Sequence, residues 1–536
     1  MARVADQRAS PPMAGGVRPP RVVRNWITPI LTVIAIAFLF CTSFYVLDAI
    51  LLGGGVTSIA GILQHYLAFD PELITDALPA LGMTIVAVLG IVLTVVAIVV
   101  QLSSERYTGV AMMFMREPVH VAVLGFYIVA SLCAVWLSVT LRPDFVPRSL
   151  LLVVMTFTSL GLAVMPPYFA YTFWFLEPGN IIDRLRRHTS RSGRRGLDAE
   201  SEAETARLQD TVVGHIEEIT DIANNSIDGR DKIIAARAVD ALRLFVIDYM
   251  VAKPREDRPW YRIGPDLRAN ADFVGMDPEL LDEIEKRRLW VEWKTMHQLL
   301  RVYEEALYSM GDIDSQVAVN TRYIGETAAV SAETDLIRMV LRFFNLYLRK
   351  AIYRGSGPTA EDVLLQYRML IEALVRENLC DVALEGAGFL EDYGHIAFEE
   401  DLTSVTETVA HDLAFLCRYA HQERSVCEER MLRQLLDLDQ EAATGSHRQY
   451  RGLRGVRMAQ VRLATYYLSV DEEAKAKLIA EDMFRMSPKM KESIRSELAK
   501  ESPPHFWETV DRGRNLHYLD RDERDRLDTF LGWFGT

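Results

Sequence analysis

Residues 78–104 (LPALGMTIVAVLGIVLTVVAIVVQLSS) constrain the fold most, because they form a charge-free run as long as a bilayer is thick. A helix of about 20 apolar residues spans a hydrocarbon core of about 30 Å. The chain contains four such runs: Trp26–Leu52, Ala77–Leu102, Val119–Leu141 and Ser149–Leu176. The sequence therefore predicts an all-α protein that begins with a four-helix transmembrane bundle.

The distribution of arginine predicts how these helices cross the membrane. Arginines precede the first run and follow the fourth, whereas residues 53–76 contain Asp70, Glu72 and Asp76 but no Lys or Arg. Cytoplasmic loops carry the excess of basic residues. We therefore expect a multi-pass protein of a bacterial inner membrane, with both termini in the cytoplasm. Pro166 and Pro167 are expected to bend or break the fourth helix.

Beyond the membrane segment, apolar residues recur at helical spacing. Three stripes are clear: Ile234, Ala238, Ala241, Phe245 and Tyr249; Leu336, Val340, Phe343 and Tyr347; and Val363, Tyr367, Leu370 and Leu374. Such stripes are typical of amphipathic helices. Breaks rich in Pro or Gly, at 254–278, 355–358, 445–455 and 503–504, fall at irregular spacing and match no named repeat. We expect a large cytoplasmic helical domain, α-solenoid-like, as helical hairpins stacked on one another.

These patterns give a domain order with five parts. They are a disordered tail (1–24), the four-helix transmembrane domain (25–178), a basic juxtamembrane segment (179–200), and a cytoplasmic helical domain in two parts (201–354 and 355–536). The short Pro- and Arg-rich tail has almost nothing apolar to bury. The break near Gly355 sets the last boundary.

Charge and cysteine usage narrow the function classes. The first 200 residues carry 15 arginines, no lysine and 12 acidic residues, while the whole chain has a net charge of −14, so the remainder is strongly acidic. An acidic domain argues against nucleic acid as a partner. The five cysteines show no CxxC spacing, so we expect no disulfide framework and a reducing compartment.

The second predicted span carries small and polar residues on one face. Its members lie three or four residues apart: Ala87, Gly90, Thr94, Ala97, Gln101 and Ser104. Small residues allow close packing of membrane helices, which is the plainer interpretation. Alternatively, copies of this face line a pore, with Ile91 or Ile98 as a dewetting gate. Glu105 and Arg106 at its mouth form either a charged selectivity ring or an ion pair that caps the helix end, and we favour the ion pair.

Two further sets of charged residues are candidate sites at the membrane surfaces. Asp48 lies near the outer end of the first helix, where we expect it to pair with Arg142 or Arg148. Beyond the fourth helix, six arginines are expected to contact anionic lipids: Arg184, Arg186, Arg187, Arg191, Arg194 and Arg195.

Signals for enzyme chemistry are weak. Glu391, His395 and Glu399 share a helical face, as do Cys417 and His421, but such rows are usually solvated surface rather than metal sites. The sequence contains no Walker, Rossmann, HExxH, GxSxG or kinase motif. We therefore expect no catalytic residue, no cofactor and no resident metal.

Four segments carry a resemblance to a known family. They are the run at 78–108 ending in QLSSERYT, FMREPVHVAVLGFYIVASL, NIIDRLRR and SIDGRDKIIAARAVDAL. Together they resemble an uncharacterised bacterial family of predicted integral membrane proteins, a domain of unknown function, over much of residues 30–250. The family implies a polar cytoplasmic cap after this helix, although Tyr107, Thr108 and Gly109 replace its Ser-Pro-Arg-like turn. It implies no activity.

Two function classes follow. The chain is either an oligomeric ion channel or transport-type pore with a regulatory helical domain, or a membrane-tethered scaffold or sensor whose helical domain recruits a protein partner. Membrane lipids and a second copy of the chain are the expected partners of the first class, which we favour.

Overall fold

The structure is a computed structural model, which describes residues 71–104, 117–140, 148–439, 447–483, 486–500 and 515–534, together with Leu39, Ser43, Phe114, Met115 and Pro503. The chain divides into two compact units, Met1–Ile181 and Ile182–Thr536. No strand occurs in the ranges just given, and the all-α class is confirmed. The expected boundary at 354/355 stays a prediction. The predicted tail and all but two residues of Trp26–Leu52 lie outside the described residues.

Three long apolar helices form the described part of the first unit: α1 (Pro71–Ser104), α2 (Pro118–Thr140) and α3 (Arg148–Leu176). Each contains a stretch long and apolar enough to cross a membrane: Pro79–Gln101, Pro118–Thr140 and Ser149–Leu176. Their common core includes Ile85, Ala130, Leu137 and Val154. Three of the four predicted spans are thus present as helices.

The double proline in α3 does not end the helix. Helix α3 runs without interruption through Pro166 and Pro167, so the expected break is absent. Prolines are tolerated within membrane helices because neighbouring groups satisfy the backbone atoms they free. Helix α4 (Pro178–Asp198) follows and contains the arginine-rich segment.

The second unit continues with helices whose bounds are α5 (Glu202–Asp228), α6 (Lys232–Ala252), α7 (Pro265–Arg268), α8 (Ala271–Val274), α9 (Pro278–Lys286), α10 (Trp290–Ser309), α11 (Gly311–Val330), α12 (Thr334–Tyr353), α13 (Gly357–Arg376), α14 (Cys380–Glu399), α15 (Thr403–Gln422), α16 (Glu428–Asp437), α17 (His447–Ser469), α18 (Glu473–Asp482), α19 (Pro488–Leu498) and α20 (Arg521–Gly532). A short 3₁₀ turn lies at Pro259–Tyr261. The stripes predicted on α12 and α13 are fully buried.

The longer helices of this unit pack in two rows. In one row, α6 contacts α11, followed in order by α13, α15, α17 and α20. In the other row, α5 contacts α10, followed by α12, α14 and α16. From α10 to α17, the helices within each row therefore pack against the next helix but one along the chain. Contacts of this kind are the ones stacked helical hairpins make, and the α-solenoid-like stack remains a prediction.

A repeated turn closes successive helices in this stack. Residues with positive φ recur every 23 positions, at Ala332, Gly355, Asn378, Asp401 and Arg424. The backbone N–H one residue after each turn residue bonds the carbonyl five residues before it, at 2.8–3.0 Å, as in the pair Leu379 and Leu374. This is the Schellman helix end. The expected irregular spacing is therefore wrong between α11 and α15.

The break predicted at 445–455 is also placed wrongly. Helix α17 begins at His447 and continues through Gly452 and Gly455. A Cβ atom on Gly455 would lie only 2.7 Å from Cδ of Glu407 on α15. Glycine at this position serves the close approach of two helices rather than a turn.

Two cysteines form a pair that the sequence did not indicate. Cys380, at the start of α14, and Cys427, just before α16, are joined as a disulfide with Cα atoms 5.5 Å apart. This separation lies within the usual range for disulfides. The two cysteines stand 47 residues apart in sequence, and one such pair does not amount to the disulfide framework whose absence the sequence predicts. Cys417 is free and buried.

Candidate functional site

Helix α1 has two faces with different surroundings. Four of its β-branched side chains, Ile85, Val88, Val92 and Val96, are buried. They face α2 and α3, because these are the described helices that α1 contacts. The described helices of the bundle therefore pack on the face of α1 that carries these four residues.

The small and polar face of α1 points away from α2 and α3. The described members of the predicted site on this face are exposed: Ala87, Gly90, Ile91, Thr94, Ala97, Ile98 and Gln101. A Cβ atom on Gly90 would meet no heavy atom within 4 Å among the described residues. The Thr94 hydroxyl donates to the Gly90 carbonyl at 2.8 Å, which satisfies its proton without water. Ser104 ends α1, and Glu105 lies outside the described residues.

Of the three residues predicted to pair at the outer end of the membrane helices, the structure describes only one. Asp48 and Arg142 lie outside the described residues, and Arg148 is the first residue of α3. Pairing between Asp48 and either arginine remains a prediction.

One buried and one partly buried polar contact join the start of α2 to α3, and the sequence analysis missed both. Nδ1 of His120 and the hydroxyl of Tyr168 lie 2.6 Å apart, and the Tyr171 hydroxyl donates to Oε1 of Glu117 at 2.8 Å. These contacts hold α2 and α3 against each other. Their partners are about 50 residues apart in sequence. Pairing over such a distance leaves no periodic signal.

The six arginines on α4 fall into two groups. Arg191, Arg194 and Arg195 are exposed, whereas Arg184, Arg186 and Arg187 are partly buried. Nη1 of Arg186 lies 3.2 Å from Oδ2 of Asp248 on α6. That arginine therefore supports the packing of α4 in the second unit, and lipid contact by the exposed group remains a prediction.

The rows singled out as weak metal candidates serve helix packing. Nε2 of His395 lies 3.1 Å from the carbonyl oxygen of Leu438. Burial, reinforced by Asp437, raises the pKa of Glu391 to about 7. In the other row, Nδ1 of His421 lies 3.2 Å from Oε1 of Glu428.

A different group has ligand atoms close enough for a metal. Atoms of Glu407, His411 and His517 lie within 4.8 Å of one another. However, Nη1 of Arg462 lies 3.1 Å from Nδ1 of His411, and a guanidinium can only donate. Nδ1 therefore accepts, and the neutral ring carries its proton on Nε2, the atom 3.9 Å from Oε1 of Glu407. Burial lowers the pKa of Arg462 to about 10, which leaves it charged at neutral pH. The arrangement fits an ion-pair network better than a metal site.

A buried ionic cluster lies at the start of the stack. Lys294 on α10 has a fully buried side chain and pairs with Asp272 and with Glu217. Its Nζ also donates to Oδ1 of Asn270 at 3.0 Å. Burial opposes the charge on Asp272, but hydrogen bonds from His297 and Lys294 hold the pKa of Asp272 well below its usual range. The cluster ties α5, α8 and α10 together.

A cleft opens between α9, α10 and α12, where the sequence showed only core stripes. It has a volume of about 310 Å³. Its apolar lining is Leu280, Ile284, Leu289, Trp293, Met339, Phe343 and Leu346. Three arginines also line it, Arg287, Arg338 and Arg342. A second groove of about 570 Å³ adjoins it at Leu346 and continues along α10 and α12.

The first unit contains three candidate membrane spans with apolar outer faces, and the second unit is helical in its described residues. Residues 24–226 match the model of a protein family described as "Predicted membrane protein (DUF2254)". This match confirms the family resemblance over those residues.

Other comparisons add little. No curated protein matches the chain. A solved structure titled "Circular tandem repeat protein with novel repeat topology and enhanced subunit contact surfaces" is 14% identical, and 96% of each chain is covered. Its TM-score of 0.35 is too low to support an argument about this fold.

Proposed function

We propose that this chain is the subunit of an oligomeric membrane pore or transport-type protein, in which the α1 helices of several copies face one another. The observation that carries this proposal is the exposure of Gly90, Thr94 and Ala97 on the face of α1 turned away from α2 and α3. Lipid tails are as apolar as leucine, so small residues on an exposed membrane face favour contact between helices.

The second part of the proposal concerns orientation. The arginines before the first apolar run and on α4 support a cytoplasmic position of the second unit at a bacterial inner membrane. There the stack regulates or assembles the pore. The exposed Arg191, Arg194 and Arg195 then lie near an anionic leaflet, where each contributes about 1 kcal/mol.

Cysteine cross-linking tests the contact between copies. In full-length protein with Cys41 and Cys133 replaced by alanine, we expect Ala97→Cys to form covalent dimers on oxidation in lipid nanodiscs. Val135→Cys is the matched control, because Val135 is 57% exposed on α2 and belongs to no small-residue face. Equal cross-linking at both positions would contradict the proposed interface between α1 helices of two copies.

Conductance tests the pore itself. Thr94→Leu and Gln101→Leu should each reduce planar-bilayer current strongly, since a bulky apolar side chain closes and dries a narrow path. Val135→Leu should leave the current unchanged. A wild-type protein without current, or leucine variants with full current, would contradict the pore.

The second candidate is a membrane-tethered scaffold or sensor. The two-row stack and its cleft favour it, because both offer a binding surface that needs no pore. A wild-type mass that corresponds to one copy per nanodisc supports this candidate and opposes the first.

A further inference from the structure

The cleft between α9, α10 and α12 has the size and lining of a small-molecule site. Ligand pockets usually measure about 300–1,000 Å³ and combine apolar walls with a few polar groups. Here the indole of Trp293 packs on the ring of Phe343 with centroids 5.5 Å apart, and aliphatic side chains from α9 and α12 complete the walls. An apolar molecular body fits these walls.

Charged groups at the cleft are not equivalent. Nη1 of Arg287 lies 2.9 Å from Oδ1 of Asp335, and the same guanidinium also pairs with Glu283. Nε of Arg338 lies 2.9 Å from Oε2 of Glu385. These arginines are therefore neutralised by acidic partners.

Arg342 differs from the other two arginines. It is exposed, and within the part of the chain that the structure describes it makes no ion pair or hydrogen bond. It lies one helical turn after Arg338 on α12, beside Phe343. A guanidinium offers five N–H donors in a planar fork that matches a carboxylate or phosphate. The cleft therefore presents one uncommitted cation next to an apolar wall.

From this geometry we infer that the cleft binds a monoanionic amphiphile, with its acidic head on Arg342 and its apolar body against Trp293 and Phe343. The adjoining groove along α10 and α12 meets the cleft at Leu346, and its lining includes the charged residues Glu304, Arg349, Lys350 and Arg354. The ligand is either a free organic acid or the single-chain part of an anionic lipid, since both present the same head and tail chemistry. This assignment is independent of the proposed pore.

Quenching of tryptophan fluorescence by 8-bromooctanoate tests the assignment. Full-length protein in zwitterionic nanodiscs should show a saturable loss of fluorescence, because bromine quenches an indole only at close range. Trp293→Phe should lack this saturable component, which assigns it among the eight tryptophans of the chain. A saturable component of equal size in Trp293→Phe would overturn the site.

Arginine variants test the head-group contact. Arg342→Ala should raise the dissociation constant about tenfold or more, as expected when a charge-assisted contact is lost. Arg342→Lys should fall between wild type and Arg342→Ala. Arg430→Ala is the control, because Arg430 is also exposed but lies outside the cleft. Equal affinity of Arg342→Ala and wild type would contradict the assignment.

Two further ligands distinguish the contribution of the acidic head from that of the apolar tail. 8-Bromooctan-1-ol, with the same tail and no charge, should bind about tenfold more weakly or worse, whereas equal binding would mean a merely apolar cleft and overturn the proposal. Nanodiscs with phosphatidylglycerol identify the source. Weaker apparent binding of bromooctanoate there indicates competition by lipid, and unchanged binding indicates a free acid.

Discussion

Leu132 on α2 and Lys294 on α10 show how differently the two compact units place their side chains. Leu132 is 63% exposed within an apolar span, whereas the Lys294 side chain is completely buried among charged and polar partners. Only 22% of the most apolar window of each candidate span is buried. The first unit is built to be solvated by lipid, and the second keeps ionic groups inside and excludes water. Substitutions should therefore have opposite consequences in the two units.

The largest effect is expected in the buried ionic cluster. Lys294→Met should destabilise the second unit by about 3–5 kcal/mol, because it leaves Asp272 charged and buried without its main partner. Protection of α10 amides from hydrogen exchange, measured on the full chain in nanodiscs, gives the change in free energy of opening.

Lys477→Met is the matched control for that prediction. Lys477 and Glu473 form an ion pair with both side chains about 60% exposed, so its loss should change stability by less than about 0.5 kcal/mol. Similar effects of the two substitutions would mean that the cluster is not the ionic core of this unit.

A somewhat smaller effect is expected for a charge on the lipid-facing surface. Leu132→Asp should raise the apparent free energy of inserting α2 into the membrane by about 2.5–3.5 kcal/mol. The membrane-inserted fraction of newly synthesised chain measures it. Val426→Asp, at a residue 86% exposed in the second unit, should leave that fraction unchanged. Unimpaired insertion of Leu132→Asp would show that this face does not meet lipid.

The smallest effect concerns pH in the second unit. Burial and Asp437 raise the pKa of Glu391 from 4.5 to about 7, so the folded state binds the proton more tightly than the unfolded state. Stability from this group is therefore present below about pH 4.5 and is lost as the pH rises through about 7.

The substitution Glu391→Gln should remove the loss of stability that accompanies ionisation of Glu391 at high pH. It should be more stable than wild type by about 1 kcal/mol at pH 8 after allowance for solvent screening, and equally stable at pH 4. Denaturant unfolding at both pH values measures the difference. Glu399→Gln, at an exposed residue of the same helix, should show no pH-dependent gain. A gain at pH 4 as large as at pH 8 would contradict the assigned pKa.

Local sequence patterns predicted the positions of several helices well, but they predicted the helix ends and the contacts between helices poorly. Apolar runs and stripes predicted α1, α2, α3, α12 and α13, because periodicity reports which face of a helix is buried. They did not reveal the recurrence of the helix ends, since four of the five residues with positive φ that follow α11 to α15 are not glycine. Gly455 led to the prediction of a break where the helix continues, because a glycine at a close helix contact cannot be told from a turn residue in sequence.

The candidate sites show the same limit. The sequence identified the small face of α1, but only the packing of Ile85 and Val92 showed that this face turns away from α2 and α3. The α9–α10–α12 cleft was hidden because Trp293, Met339 and Phe343 belong to stripes that predict core. Sites assembled from several helices leave no local pattern.

The regular helix ends of the second unit also bear on how such a chain changes over evolutionary time. Since α12, α13, α14 and α15 begin 23 residues apart and end in the same type of turn, duplication or deletion of two consecutive helices leaves every remaining turn intact. A change of this kind alters the length of the second unit by two 23-residue steps and leaves the sequences of α1, α2 and α3 unchanged.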